Sequence, residues 1–285
     1  MFVPFQIGKY AVIDRIRVGG MGELLYAQYV DGEGDIARAA IKRPLPSVAE
    51  IPDFVEHFWD ECHLLERIKH PAFPRFIEAG ISGTMPFLAM EFIKGRSLGQ
   101  LLRCEPAAKR VDLPTWIGLA VDLCDAVAYL HQLKTSDGSP TLHGDIHPSN
   151  VLVSHDGQVR LLDLGIASLI SRKDFKLQRR SNDFQAPFII EKAPSTVLDT
   201  YAIGRCLLEC LGAGEPDKVH REGYSAELQE ILARAVDRGG LYNYNNAADL
   251  GRDLAACIVG RSKEESQKQL TAAVFSCPLP TVSVE

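Results

Sequence analysis

His143-Gly144-Asp145-Ile146-His147-Pro148-Ser149-Asn150, followed thirteen residues on by Asp163-Leu164-Gly165, is the stretch on which the reading of the whole chain turns. Between them lie two short apolar runs, Val151 to Val153 and Val159 to Leu162, separated by Ser154-His155-Asp156-Gly157. A strand, a turn and a second strand therefore join two aspartate-bearing loops. The pattern His-x-Asp-x-x-Pro-x-Asn fixes four residues. At about one in twenty per position it arises by chance in roughly two chains per thousand of this length. Taken locally, the two aspartates could cap turn backbone. Alternatively, His143, Asp145 and His147 could face one metal ion from alternate positions of an extended segment.

Upstream of this segment the chain reads as strands. Residues from Lys9 to Val18 partly alternate, Gly19-Gly20-Met21-Gly22 makes a tight tip, and Glu23 to Val30 continues as the second arm of a hairpin. After the turn at Asp31-Gly32-Glu33-Gly34, Ile36 to Lys42 reads as a third strand. Between Asp53 and Lys69, Phe54, Phe58, Cys62, Leu65 and Ile68 recur at helical spacing, and Glu61 falls on that buried face. A carboxylate there is costly unless a cation such as Lys42 pairs with it. Phe76 to Ile81 and Phe87 to Ile93 complete a small sheet carrying one helix, ending at Lys94-Gly95.

Downstream the pattern turns helical. Trp116, Leu119, Leu123, Val127 and Leu130 form one stripe; Leu228, Ile231, Leu232 and Ala235 a second; Leu250, Leu254 and Ile258 a third. From Arg261 onward the chain is polar and weakly periodic, which predicts a loosely held tail in which only Leu270 to Phe275 could dock.

Composition excludes several classes. With 285 residues, 46% hydrophobic and 24% charged, the chain is neither disordered nor fibrous. Its 31 Lys and Arg against 37 Asp and Glu give a net charge of −6, which argues against a general nucleic-acid coat. The seven cysteines never form Cys-x-x-Cys, so no disulfide framework or cysteine zinc site is expected. The start lacks a signal-peptide pattern, and the apolar stretch Val197 to Leu211 is interrupted by Asp199, Arg205 and Glu209. No membrane span is predicted, and a cytoplasmic location is expected.

The decisive segment resembles the catalytic loop of protein kinases, with Asp163-Leu164-Gly165 in place of their Asp-Phe-Gly. The resemblance extends from about Lys9 to Val259. It implies an α+β bilobal fold: a small antiparallel-sheet lobe with one helix over residues 9–93, a larger mainly helical lobe over 94–259, and a tail over 260–285. By the same resemblance Asp145 orients the acceptor hydroxyl and takes its proton, and Asn150 and Asp163 hold Mg²⁺. Ala39-Ala40-Ile41-Lys42 resembles the strand presenting the phosphate-binding lysine, and Glu61 its helix partner. Gly19, Gly20 and Gly22 resemble the loop that covers the nucleotide. Leu24, Ala40 and Leu152 would enclose the adenine of ATP, Met90 would stand behind it, and Glu91 to Ile93 would offer hinge backbone. Asp199 resembles the buried helix aspartate that braces the catalytic loop. Ala186-Pro187 marks the end of an activation-type segment in which Ser181 takes a threonine's place.

The chain also departs from the family pattern. Arg17 replaces the first loop glycine, Gly144 the arginine before the catalytic aspartate, and Phe188 the glutamate after Ala-Pro, with Asn243 in place of that glutamate's arginine partner. His147 stands where protein kinases usually carry a lysine, and His-Gly-Asp-x-His-Pro resembles aminoglycoside phosphotransferases. The resemblance is most like bacterial serine/threonine kinases and implies an ATP- and Mg²⁺-dependent enzyme acting on protein substrates, with no nucleic-acid or membrane partner. A small-molecule kinase and a pseudokinase scaffold remain open at this point, and no oligomeric state is read from the sequence.

Overall fold

Alternation of buried and exposed residues around the glycine tip produces the expected hairpin and extends it. In the computed structural model, which describes residues 3–135, 138–164, 195–212, 224–238 and 243–278, the first compact unit runs to Lys94 and the second covers Gly95–Pro278. The first unit contains strands β1 (Phe5–Ile7), β2 (Tyr10–Val18), β3 (Gly22–Val30), β4 (Ile36–Pro44), β5 (Phe76–Ser82) and β6 (Met85–Glu91). They form one antiparallel sheet in the order β1-β2-β3-β4-β6-β5. Its core is Ile7, Tyr10, Val12, Leu25, Ala27, Ala39, Ile41, Phe87 and Ala89. Period-2 alternation puts Leu25 and Ala27 on one face of β3, and Ala39 and Ile41 of β4 pair with them across the ladder.

Two short helical pieces lie between β4 and β5. The first, α1 (Pro46–Ala49), and the strand β1 escape the sequence reading because three or four residues carry no measurable period. The second, α2 (Pro52–Arg67), is the anticipated helix; proline at its first position, Asp53 in its first turn and Arg67 in its last suit the helix dipole. It buries Phe58, Glu61, Cys62, Leu64 and Leu65.

The second unit opens with β7 (Gly95–Ser97), whose residues the sequence reading treats as a boundary. It pairs with β8 (Val151–Ser154), and β8 with β9 (Val159–Leu161), as an antiparallel three-stranded sheet. Ser97 ends the strand and caps α3 (Leu98–Arg103) in a reciprocal capping box with Gln100. A single turn, α4 (Glu105–Ala108), follows. Asp112 then caps α5 (Leu113–Gln132) by accepting the Thr115 amide. Among the described residues, helix α5 is long and apolar enough to cross a membrane by length and composition. Here it is a core helix that packs against α6 (Val197–Cys210), α8 (Ala247–Ala256) and α9 (Lys263–Ser276). Helix α7 (Ala226–Ala235) packs on α6 and α8.

Within the expected loose tail, residues Lys263–Ser276 form the docked helix α9. Its amino end is fixed by a capping box between Ser262 and Glu265, and Leu270, Ala273 and Val274 are buried. Gly157 in the β8–β9 turn admits the helix: a Cβ there would stand 2.1 Å from the Gln267 carbonyl oxygen. Arg261 and Gln269 both reach Asp112, and Lys263 pairs with Asp122 at 2.6 Å.

Candidate active site

The first unit supplies a cation and its buried partner. Strand β4 presents Lys42 opposite Leu24 of β3 and Leu88 of β6, and α2 presents Glu61. Their Nζ and Oε1 atoms are 2.6 Å apart. Glu61 is 7% exposed, so an unpaired carboxylate there would be costly, and the lysine offsets that cost. Beside it, burial and the Glu61 charge push the Cys62 thiol up to about 12.

The glycine tip also belongs to this unit. The Gly19 amide donates to the Gly22 carbonyl at 2.7 Å, and the Leu45 amide donates to Met21. Gly22 lies in the ladder, opposite Pro44, where added side-chain bulk would meet the Arg43 carbonyl; Gly20 is exposed with open space above it. Arg17 is exposed at the end of β2. Ala40 and Met90 are buried partners across β4 and β6. The Glu91 amide donates to the Arg75 carbonyl at 2.8 Å, and Ile93 lies beyond the end of β6.

The second unit assembles the decisive segment. Leu152 lies on β8, opposite Ser97 and Arg160. Asp199 on α6 is fully buried and accepts three hydrogen bonds: from the His143 amide at 2.9 Å, the Gly144 amide at 2.9 Å and His131 Nε2 at 2.9 Å. Two successive loop amides thus meet one carboxylate. Gly144 takes φ 77, a left-handed conformation that a side chain resists. The departure from arginine at this position therefore suits the backbone that the Asp199 brace demands. His131 is a member of the brace that sequence reasoning missed, since its neighbour Asp199 is remote in the chain.

Within the loop, Asn150 Nδ2 donates to the backbone carbonyl and to Oδ2 of Asp145, both at 3.0 Å. The His147 carbonyl accepts the Asn150 and Val151 amides, and the Gly99 amide at the start of α3 donates to Pro148. His147 Nδ1 accepts the Ser149 amide, which leaves Nε2 toward Asp145 Oδ2 at 3.6 Å. Burial raises the Asp145 carboxyl, but His147, 3.6 Å away, and the nearby His143 lower it by more, and it ends below its ordinary range. His143 Nδ1 accepts the Asp145 amide. Complete burial keeps His143 below its ordinary value despite the nearby carboxylates of Asp199, Asp145 and Asp163.

The residues present fit a divalent cation. Asn150 Oδ1 is buried without a hydrogen-bond partner while its amide nitrogen is pinned by Asp145, so a hard oxygen is held in one orientation. Asp163 has φ 55, an uncommon left-handed backbone for a residue with a side chain, and such outliers persist where surroundings enforce them. One or two protein oxygens are what Mg²⁺ usually takes, with phosphates and water completing its shell. The alternative of a metal on His143, Asp145 and His147 finds no support: among the described residues no three His, Cys, Asp or Glu form such a group, and both histidines accept backbone amides through Nδ1.

Gly165, Ser181, Ala186, Pro187 and Phe188 lie outside the described residues. Asn243, which stands in place of the arginine in the family pattern, donates to the Arg234 and Ala235 carbonyls at the end of α7.

The protein kinase domain pattern matches residues 14–272. This chain belongs to the protein kinase domain family. Family membership brings ATP and a divalent cation as its reagents. Among relatives, the tyrosine-protein kinase MasK of Myxococcus xanthus is 32% identical over 168 residues, covering 58% of this chain and 26% of that protein. The serine/threonine-protein kinase PknB of Mycobacterium leprae is 24% identical over 309 aligned positions, covering 97% of this chain and 47% of that protein. The chain thus spans between a quarter and a half of these curated relatives. The kinase domain of Mycobacterium tuberculosis PknI shares the fold, with a TM-score of 0.65 at 20% identity over 88% of this chain and 97% of that one.

Proposed function

We propose that this protein kinase domain transfers the γ-phosphate of ATP to serine or threonine hydroxyls of protein substrates, with Mg²⁺ as the metal. The observation that carries the reading is the Asp145–Asn150 pair: a carboxylate kept ionised, next to an amide whose oxygen is buried and unsatisfied. Asp145 positions the acceptor hydroxyl and takes its proton. Asn150 and Asp163 hold the metal, which neutralises phosphate charge when bound. Lys42, oriented by Glu61, holds the phosphates. Gly19, Gly20 and Gly22 cover the nucleotide, with Leu24, Ala40 and Leu152 against its base and Glu91 and Ile93 at the hinge. His147 steadies Asp145 through the 3.6 Å contact.

The acceptor class follows most of the named relatives, which are serine/threonine kinases; MasK carries the name of a tyrosine kinase. The test is the intact mass of the purified chain after incubation with Mg-ATP, beside an Asp145→Asn control, followed by identification of the modified residue. A phosphoryl mass step on Ser or Thr in the wild type alone is expected, and chelation of the metal should abolish it. Phosphotyrosine would reassign the acceptor, and a step in both proteins would exclude Asp145 from the chemistry. Failure to modify any protein, with faster turnover on a free hydroxylated metabolite, would move the reading to the small-molecule class that His147 resembles.

A further inference from the structure

Two cysteines remote from each other in sequence reach the same carbonyl at the end of α3. Cys104 ends α3 and Cys277 ends α9. The Gln100 carbonyl accepts the Cys104 amide at 3.1 Å and the Cys277 thiol at 3.9 Å, so both cysteines converge on one atom at the end of α3. Their side chains interact electrostatically, and both sulfurs are reduced. Arg96 of β7 lies against Cys277. It is 9% exposed, its Nε is buried without a hydrogen-bond partner, and among the described residues no carboxylate pairs with it. A buried guanidinium favours any anionic form of the sulfur beside it.

We propose that Cys104 and Cys277 are a peroxide-sensitive pair that closes to a reversible disulfide, clamping α9 to α3. Cys104 is half-buried and Cys277 buried, so Cys104 meets the oxidant first. The Cys104 thiol gives up its proton and the thiolate attacks hydrogen peroxide: the O–O bond breaks, an S–O bond forms, and the departing hydroxide takes that proton, leaving sulfenic acid and one water. The Cys277 sulfur then attacks the Cys104 sulfur, the S–S bond forms, and the S–O bond breaks. The departing hydroxide takes the Cys277 proton as a second water. Two thiols and one peroxide thus become one disulfide and two waters. Burial holds the Cys277 thiol above its ordinary value and Cys104 adds to this, whereas Arg96 opposes it, which suits a resolving rather than an attacking sulfur. Cys62, Cys124, Cys206 and Cys210 are all lifted by burial and do not compete.

The pair has reach because α3 touches the catalytic segment at its other end, where the Gly99 amide holds the Pro148 carbonyl at 2.8 Å. The test reads a covalent bond, so it is independent of phosphotransfer. The full chain is treated with stoichiometric hydrogen peroxide, alkylated in denaturant, digested without reductant and mapped by mass spectrometry. A peptide pair joining Cys104 to Cys277 should appear and vanish with dithiothreitol. Cys277→Ser should instead accumulate sulfenic acid at Cys104, trapped by dimedone, and Cys104→Ser should form neither species. Wild-type protein in which both thiols remain alkylatable, or are oxidised separately without a cross-link, would overturn the proposal. Amide exchange over 98–103 and 263–276 should slow on oxidation and recover on reduction; unchanged exchange in both helices would overturn the clamp.

Discussion

At the scale of single residues, the local chemistry is set by how each polar group is satisfied. Burial holds the His143 imidazole below its ordinary value, and the ring presents Nδ1 to the Asp145 amide. Its folded pKa lies below the unfolded value, so the unfolded chain takes up a proton first as pH falls. Stability from this residue is therefore complete above about pH 6.5 and declines progressively below it. Urea denaturation between pH 8 and pH 5 should show that decline in the wild type and a shallower one in His143→Phe. Asp145 behaves in the same direction at lower pH: its depressed carboxyl contributes stability that is present above the ordinary carboxylate range and lost as pH falls through the folded value. Replacing His147 by Gln removes the group that depresses it. The Asp145 carboxyl should then titrate at higher pH by carbon NMR, and an unmoved titration would show that His147 does not tune it. Replacing Asp145 by Asn should lower transfer by about a hundredfold or more with the unfolding transition kept.

Between elements, the brace from α6 to the loop shows which parts of the site were legible. The Asp145, Asn150 and Asp163 set could be read because it sits within one short stretch of fixed spacing. Lys42 and Glu61 could be paired because a carboxylate on an apolar helix face needs a cation. Gly144 could be seen only as a missing arginine, since its φ of 77 belongs to the fold. His131 was equally hidden, since it meets Asp199 across 68 positions, and the hydrogen bonds of Asn243 to the end of α7 could not be read from its place in the pattern. The brace itself is testable. Asp199→Asn retains the shape of the side chain but removes its charge and turns one acceptor into a donor facing a donor. Hydrogen bonds to a buried charge contribute about 1.5–3 kcal/mol each, so a loss of about 2 kcal/mol or more is expected in urea denaturation. Gly144→Ala should cost about 1–2 kcal/mol, the penalty of a left-handed backbone carrying a Cβ. If that variant is as stable as wild type, backbone conformation is not the reason for glycine there.

For the whole molecule, the largest revision concerns where the second unit ends. Helix α9 reads as a polar tail because Lys263 to Gln269 contains only charged and polar residues, and its buried Leu270, Ala273 and Val274 fall within five positions near its far end. Its docking depends on partners that sequence periodicity does not reveal: Asp112 before α5, the glycine at 157, and the carbonyl of Gln100. Burying a Leu or Val side chain contributes about 1.5–3 kcal/mol, and the Arg261 and Lys263 ion pairs, being partly exposed, add less. Removing residues 263–285 should therefore destabilise the chain by roughly 4 kcal/mol, a large share of the 5–15 kcal/mol typical of a domain, and lay bare an apolar strip along α5. The truncated chain should unfold at lower urea with a smaller denaturant dependence, because less surface is left to expose. Leu270→Ala in the untruncated chain separates docking from chain length: it should cost about 2–5 kcal/mol if α9 is part of the core. A change within about 0.5 kcal/mol, the range of ordinary surface substitutions, would mean that the helix stays undocked in solution, and the reading of residues 260–285 as a loose tail would be the correct one.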